Sequence, residues 1–568
     1  MNKLILSQSL PQDLVKWLDE FRQKHGRSPR VLHIGNIANN AYNNAKLLNE
    51  VGFDCDVICY DYYHIMGCPE WEDADFQGDI KDQFFPNWGS VNLKNFQRPK
   101  WFVQSSLKLC LYYLIAKRNN KQIEALLWWN ILNIYRVLRC SPLIIEINKK
   151  LREIKGFIVR FILKINDFII SLGTISKVFV YGYKTFIYGC KTSINFLMFL
   201  FHLLIIPLGL IGLILSKLIQ SYDDYKVVTN EYSFDDRVAF LVNKFANDFP
   251  DRLDKLSVED LEMYRPLIFT WQNLFDQYDI IQAYSTDPIL PLLADKPYFA
   301  FEHGTLREIP FQADPQGRRT ALSYKMANHV FVTNADCLEN AQQLASNRVS
   351  FINHPFDEHH GDKVKGWQEL KQYLSNLLDA EFLFFFPTRH DWVAETGYAD
   401  KANDVFLNAF CQLRQKGYKV GLICCQWGKN VQESIKLIEQ HNCAKFVLWQ
   451  EPMGTIKFER MARACDIVVD QFKLGSFGGI LFKAMAVGAP ICTYLNEEQI
   501  LKEYPAIPPV INCQTTDQLI HQLADIIGDS SKLEFLSSAS KQWIEKYHSS
   551  LPTIQTQIHQ YHKFLGKN

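Results

Sequence analysis

Residues 470–490 read DQFKLGSFGGILFKAMAVGAP, and the order of signals within them is that of a parallel α/β domain. The apolar run DIVVD (466–470) ends at Asp470, and glycines follow at 475, 478 and 479. Without side chains, those positions let a backbone approach a ligand closely. A small-residue helix is predicted from Phe482 to Val487, closed by Gly488-Ala489-Pro490. Strand, glycine turn and helix in that order leave unpaired backbone N–H groups at the helix start, where phosphate oxygens can be received. The candidate ligand-facing residues here are Gly475, Ser476, Phe477, Gly478, Gly479 and Lys483.

Upstream, EFLFFF (381–386) is a buried strand ending at Pro387, with Arg389 just beyond it and Lys401 before a helix predicted over 403–415. A guanidinium fork and an ammonium point charge at a strand end can together hold a diphosphate. KVGLICC (419–425), FVLWQ (446–450) and PICTYL (490–495) supply further strands. Cys424 and Cys425 are adjacent in such a strand, so their side chains should face opposite sides of the sheet.

A similar series opens the chain. VLHI (31–34) ends in Gly35-Asn36, an apolar helical pattern follows at Ala41, Ala45, Leu48 and Val51, and CDVICY (55–60) is the next strand. The turn lacks GxGxxG. YDIIQA (278–283), PYFAF (297–301) and HVFVT (329–333) continue the alternation, which argues for a second parallel sheet covered by helices. FEHGTLRE (301–308) follows one of these strands. His303 is placed to donate to an oxygen of a transferred group, with Glu302, Gly304 and Arg307 around it.

The expected architecture is therefore α/β, with two Rossmann-like doubly wound domains and an interdomain cleft. The first domain is expected over 1–345 and the second over 346–545, with a C-terminal helix, 546–568, packing back on the first. Ligands of such pairs bind at the carboxyl ends of the strands.

The 568 residues carry 61 basic and 61 acidic side chains, a net charge of zero that gives no field for nucleic acid. An apolar fraction of 48% excludes disorder. The 14 cysteines show no metal-ligand or disulfide spacing, and MNKLILSQSLPQDLVKWLDEF is too broken for a secretory segment. Both point to a reducing, cytoplasmic setting, with no metal demanded.

One region departs from this pattern. Residues 192–216 are twenty-five positions without Asp, Glu, Lys or Arg, and 152–191 carry seven Lys/Arg against Glu153 and Asp167. The length would span a bilayer. Strands of the first domain lie on both sides, however, so the number of crossings must be even or zero. Arg160, Lys164 and Asp167 would be costly at the bilayer centre. The expectation is a helical insert, 150–220, bound peripherally or monotopically to an anionic membrane on its inner, cytoplasmic face.

Arg389, Lys401, the 470–490 segment, His303-Gly304 and the Gly35-Asn36 turn together resemble the retaining, nucleotide-sugar-dependent glycosyltransferases of the GT-B fold known as family 4. The similarity covers about 31–60 and 278–540. It implies that Arg389 and Lys401 hold the donor diphosphate, that His303 lies beside the transferred sugar, and that Gly35 admits the donor. It implies a UDP- or GDP-sugar as substrate, no cofactor, and a saccharide or lipid-linked acceptor. The family usually carries two glutamates eight apart; here Gly475 and Lys483 stand at those positions. The second usually accepts hydrogen bonds from the ribose, and lysine accepts none. Lys483 is thus expected to contact phosphate or pair with a carboxylate. It also keeps open a catalytically inactive homologue with a structural or assembly role. A GT-B sugar-nucleotide epimerase would instead need carboxylates and histidines placed for proton transfer.

Overall fold

The computed structural model describes residues 10–566 except 81, 142–144, 147–148, 151–232, 395–399, 477 and 503. The uncharged run 192–216, its basic flank and Phe477 lie outside the described residues. The first sheet has seven strands, β1 (Arg30–Ile34), β2 (Asp54–Tyr60), β3 (Phe102–Ser105), β4 (Ile280–Tyr284), β5 (Phe299–Phe301), β6 (His329–Val332) and β7 (Val349–Phe351). The second has six, β8 (Phe382–Phe386), β9 (Val420–Cys425), β10 (Val447–Gln450), β11 (Ile467–Val469), β12 (Ile491–Thr493) and β13 (Ile511–Asn512).

All the pairings are parallel, in the orders β3-β2-β1-β4-β5-β6-β7 and β10-β9-β8-β11-β12-β13. Winding reverses between β1 and β4 and again between β8 and β11, which opens a crevice at each set of carboxyl ends. Helices cover both faces, so the central strands are apolar throughout: all of β8 and all of β9 are buried. Cys424 packs with Phe384 and Leu422 on one face, Cys425 with Phe385 and Ile423 on the other. The described cysteines are all free and buried.

Three strands escape the sequence pattern. FVQS at β3, VSF at β7 and the two residues of β13 are too short or too mixed to stand out. β7 is half-buried and pairs with β6 in the first sheet, so that domain runs to Phe351 and not to the expected 345. After β7 the chain crosses to the second domain, and after the helix Ser530–Tyr547 it crosses back. The final helix, Ser550–Leu565, buries Ile554, Ile558 and Tyr561 in the core of the first domain. There Gln557 Nε2 donates to Asn44 Oδ1 at 2.8 Å, and Tyr561 Oη to Gln282 Oε1 at 2.6 Å. The two crossings are tied together, because Ser550 N and Oγ both donate to the Glu358 carboxylate, at 3.0 and 3.1 Å. Among the described residues no helix is long and apolar enough to cross a membrane.

Candidate active site

The two sheets turn their carboxyl ends toward a cleft of about 410 Å³. On the second-domain side, Thr388 Oγ1 donates to Asp470 Oδ1 at 2.8 Å, joining the loops that leave β8 and β11. Asn403 is fully buried and braces the neighbouring cations: its Nδ2 donates to Arg389 O at 3.1 Å, and its Oδ1 accepts from Asp391 N at 3.2 Å. Arg389 therefore projects into the cleft half-exposed, 3.3 Å from Asp391 Oδ2. Lys401 Nζ reaches Gln471 Oε1 at 3.3 Å. Burial and the charges of Arg389 and Arg307 pull Lys401 below the usual lysine range, while burial raises the Asp470 carboxyl. An entering anion would draw Lys401 back toward its ordinary value and raise Asp470 further, because added negative charge favours the protonated form of both groups.

The helix Gly479–Ala486 starts at the same wall, and no side chain caps its first turn. Its open N–H groups face the cleft, where an anion would be favoured. A Cβ on Gly479 would enter open space, and one on Gly478 would come 3.3 Å from Asp470 Oδ2. These two glycines line the cavity. Gly475 does not. Its φ of +73° and its neighbours Tyr494 and Asn496, at 2.9 and 3.0 Å from a built Cβ, make it a glycine of the turn itself. Ser476 is buried behind the turn, its carbonyl accepting from Gln471 Nε2 at 3.5 Å.

On the first-domain side, His303 leaves β5 and stands opposite the cations. Asn40 Nδ2 lies 2.6 Å from His303 Nδ1, an accepting geometry that places the ring hydrogen on Nε2. Burial and the Arg307 charge lower His303 to about 4, so the imidazole is neutral near pH 7. Glu302 is buried behind it, receives Asn334 Nδ2 at 3.2 Å, and is raised by burial. Gly304 takes φ +81°, and Arg307 is ion-paired with Asp336. These three support His303 and do not line the cleft.

The Gly35-Asn36 turn also differs from expectation. A Cβ on Gly35 (φ +87°) would fall 2.4 Å from Asp287 Oδ2, so this glycine makes room for a carboxylate of its own domain. Asn36 is buried, donates to Asn39 Oδ1 and Gly67 O, both at 3.0 Å, and accepts from Tyr42 N. It stiffens the loop, leaving Ala38, Asn40 and Asn43 to line the cavity.

Lys483 has a partner that sequence reasoning did not name. Its Nζ contacts Glu72 Oε1 at 2.7 Å, Glu72 Oε2 at 2.9 Å and Thr455 Oγ1 at 3.0 Å. Glu72 belongs to the short helix Pro69–Asp73 of the first domain, so the pair spans the domains. Burial pushes the Glu72 carboxyl up, and the charge and hydrogen bond of Lys483 outweigh it, leaving a net fall. Next to it, His360 Nδ1 is 2.8 Å from Glu459 Oε2, and its Nε2 is 3.7 Å from Asp73 Oδ1. Further out, Arg460 Nη2 meets Asp75 Oδ2 at 3.0 Å. The sequence PEWEDAD (69–75) shows four acids in a row of seven, a visible signal whose partners lie hundreds of positions away. Thr388, Asn334 and His354 were also passed over; each stands just beyond a strand end. Among the described residues no cluster of three or more His, Cys, Asp or Glu side chains could hold a metal.

The sequence matches no family model, and no curated protein matches it. Among solved structures the chain is similar to HepE of Anabaena in complex with UDP and glucose, at 16% identity over 56% of this chain and 85% of that one, TM-score 0.43. It is similar to sucrose-phosphate synthase of Thermosynechococcus elongatus, at 14% identity over 55% and 80%, TM-score 0.42. It is also similar to the N-terminal domain of Candida albicans trehalose-6-phosphate phosphatase, at 12% identity over 58% and 81%, TM-score 0.41. Likenesses this loose transfer no chemistry, which rests on the side chains.

Proposed function

We propose that this chain is a nucleotide-sugar-dependent glycosyltransferase, moving a sugar with retention of configuration from a UDP- or GDP-sugar to a saccharide or lipid-linked acceptor in surface glycan synthesis. The observation that supports it is the convergence of Arg389, Lys401 and an uncapped helix N-terminus on one cleft wall, with neutral His303 opposite. As the anomeric carbon loses its nucleoside diphosphate, negative charge grows on the departing phosphate. Arg389, Lys401 and the N–H groups at 478–480 are preorganised donors for that charge. His303 Nε2–H is left to donate to a sugar oxygen, and the closed cleft excludes water. Among the described residues the carboxylate lining the cleft is Asp470, which stands on the cation wall and accepts from Thr388, and this favours same-face attack assisted by the leaving phosphate. Residues 150–220 would hold the chain to the inner face of an anionic membrane, in the cytoplasm, near a lipid-linked acceptor.

The test is release of nucleoside diphosphate from a panel of UDP- and GDP-sugars by the purified full chain. Arg389→Ala should lower turnover about 100-fold to 1,000-fold. A wild-type chain that binds donor and releases nothing, with or without added glycan acceptors, would end the transferase reading. A second reading, an inactive homologue with a structural role, draws on the Lys483–Glu72 pair, since two charges satisfied by each other are not free for a nucleotide. Absence of UDP and GDP binding by calorimetry would favour it.

A further inference from the structure

The helix Gln122–Arg139 buries Trp128 and Leu132 in the core of the first domain, with Ser105 Oγ donating to Leu132 O at 3.3 Å. Its other side is also apolar. Ile123, Leu126, Leu127, Ile134, Val137 and Leu138 are all exposed, Ile123 by 87% and Ile134 by 60%. Their spacing puts them on one stripe of the helix surface. At the carboxyl end of the helix Arg139 lies 5.0 Å from the ring of Phe85, whose sequence neighbour Phe84 is exposed by 66%.

We infer that this stripe is a membrane-docking face, lying flat on an anionic lipid surface. Three observations select lipid. The stripe holds no acidic residue: Glu124 is turned toward Lys121, 3.3 Å away, and cations Lys121 and Arg139 bracket the helix. Cations at the ends and mainly aliphatic chains between them, with exposed Asn130 the polar position in the middle, match headgroups over acyl chains. A stripe along 18 residues is only about 27 Å long and about 10 Å wide. That falls well short of the roughly 800 Å² per partner of a stable protein interface. Finally, in the sequence the uncharged run 192–216 falls between this helix and the helix Phe234–Asp248, whose Phe234, Val238 and Leu241 share one core cluster with Trp128 and Leu132.

The opposite side of the helix packs toward the domain contact: Arg136 Nη1 is 3.4 Å from Glu70 Oε1, and Glu70 is two residues from Glu72, the partner of Lys483. The inference does not depend on the transferase reading, because its readout is membrane binding.

Flotation of the full chain with vesicles of phosphatidylcholine containing about a third phosphatidylglycerol tests it. Wild type should float with these vesicles and less with phosphatidylcholine alone. Leu126→Glu/Ile134→Glu/Leu138→Glu should lower the bound fraction at least about tenfold, with an unchanged melting temperature and mass in solution. Unchanged flotation of the triple variant would overturn the inference. So would a falling melting temperature, which would mean that the face is covered within the chain. A wild-type dimer that the triple variant converts to monomer, without flotation, would assign the face to a second copy.

Discussion

A side chain at Gly475 would have to share space with Tyr494 and the backbone N of Asn496, at a φ that L-residues avoid. Gly475→Ala should therefore destabilise the second domain by about 1–3 kcal/mol, read as a lowered denaturant midpoint. Gly479→Ala adds a methyl to open space beside the helix start and should spare stability while weakening donor binding. Both glycines look alike in the sequence, and only the positive φ and the packed turn separate them. Arg389, Lys401 and His303 were legible because strand-end cations and a strand-end histidine are local signals. Gly35 and Asn36 were legible as a turn; what Gly35 makes room for was not, because Asp287 is some 250 positions away. His303→Ala should reduce turnover with little change in melting temperature. In the wild-type pH profile any acid limb owed to His303 should lie near 4, below the ordinary histidine range, and should be missing from the variant.

The short helix Pro69–Asp73 was invisible to periodicity, since five residues carry no repeat, yet it sets the closed arrangement. It offers Glu72 and Asp73 to Lys483 and His360 of the facing domain. Lys483→Glu would place two buried carboxylates against each other. The pair should then break at a loss of about 3–5 kcal/mol, with an opened cleft visible as a larger radius of gyration in solution scattering. The double variant Glu72→Lys/Lys483→Glu restores opposite charges and should recover the compact form. If the double variant stays open, the contact is incidental to closure. His360 adds a pH dependence. Burial pulls its pKa down, and Glu459 with Asp73 outweighs that, so the folded value is raised. Its contribution is complete below the ordinary histidine range and fades as pH rises through the folded value, so the clasp should loosen on the alkaline side.

Across the whole molecule the opposite sign dominates. His33 and His548 are fully buried, and burial lowers each to about 3. The unfolded chain therefore binds protons that the folded chain refuses. Stability is complete above the unfolded histidine value and is lost as pH falls toward the folded one. Between about pH 6 and pH 4 the two should together remove up to about 3 kcal/mol per pH unit, seen in denaturant midpoints. Two-domain α/β organisation was legible in the sequence because parallel strands are long apolar runs. The domain boundary was not, because β7 is a half-buried edge strand of three residues.

The two interdomain crossings also meet at a single ring. His354, on the outgoing crossing, stacks on Phe482 at 5.7 Å between centroids, and His548, on the returning one, stacks on the same ring at 4.9 Å. Phe482 belongs to the helix whose first turn faces the cleft. The hinge and the anion seat are therefore geared through one aromatic side chain. Contact of both crossings with this ring would couple the hinge geometry to an anion at the helix start. By reciprocity, if the anion favours one hinge geometry, an effector that favours the same geometry tightens the anion by the factor by which the anion tightens that effector. Phe482→Leu should keep the helix and disengage the gear, so that ligand no longer narrows the distribution of hinge angles seen by single-molecule fluorescence.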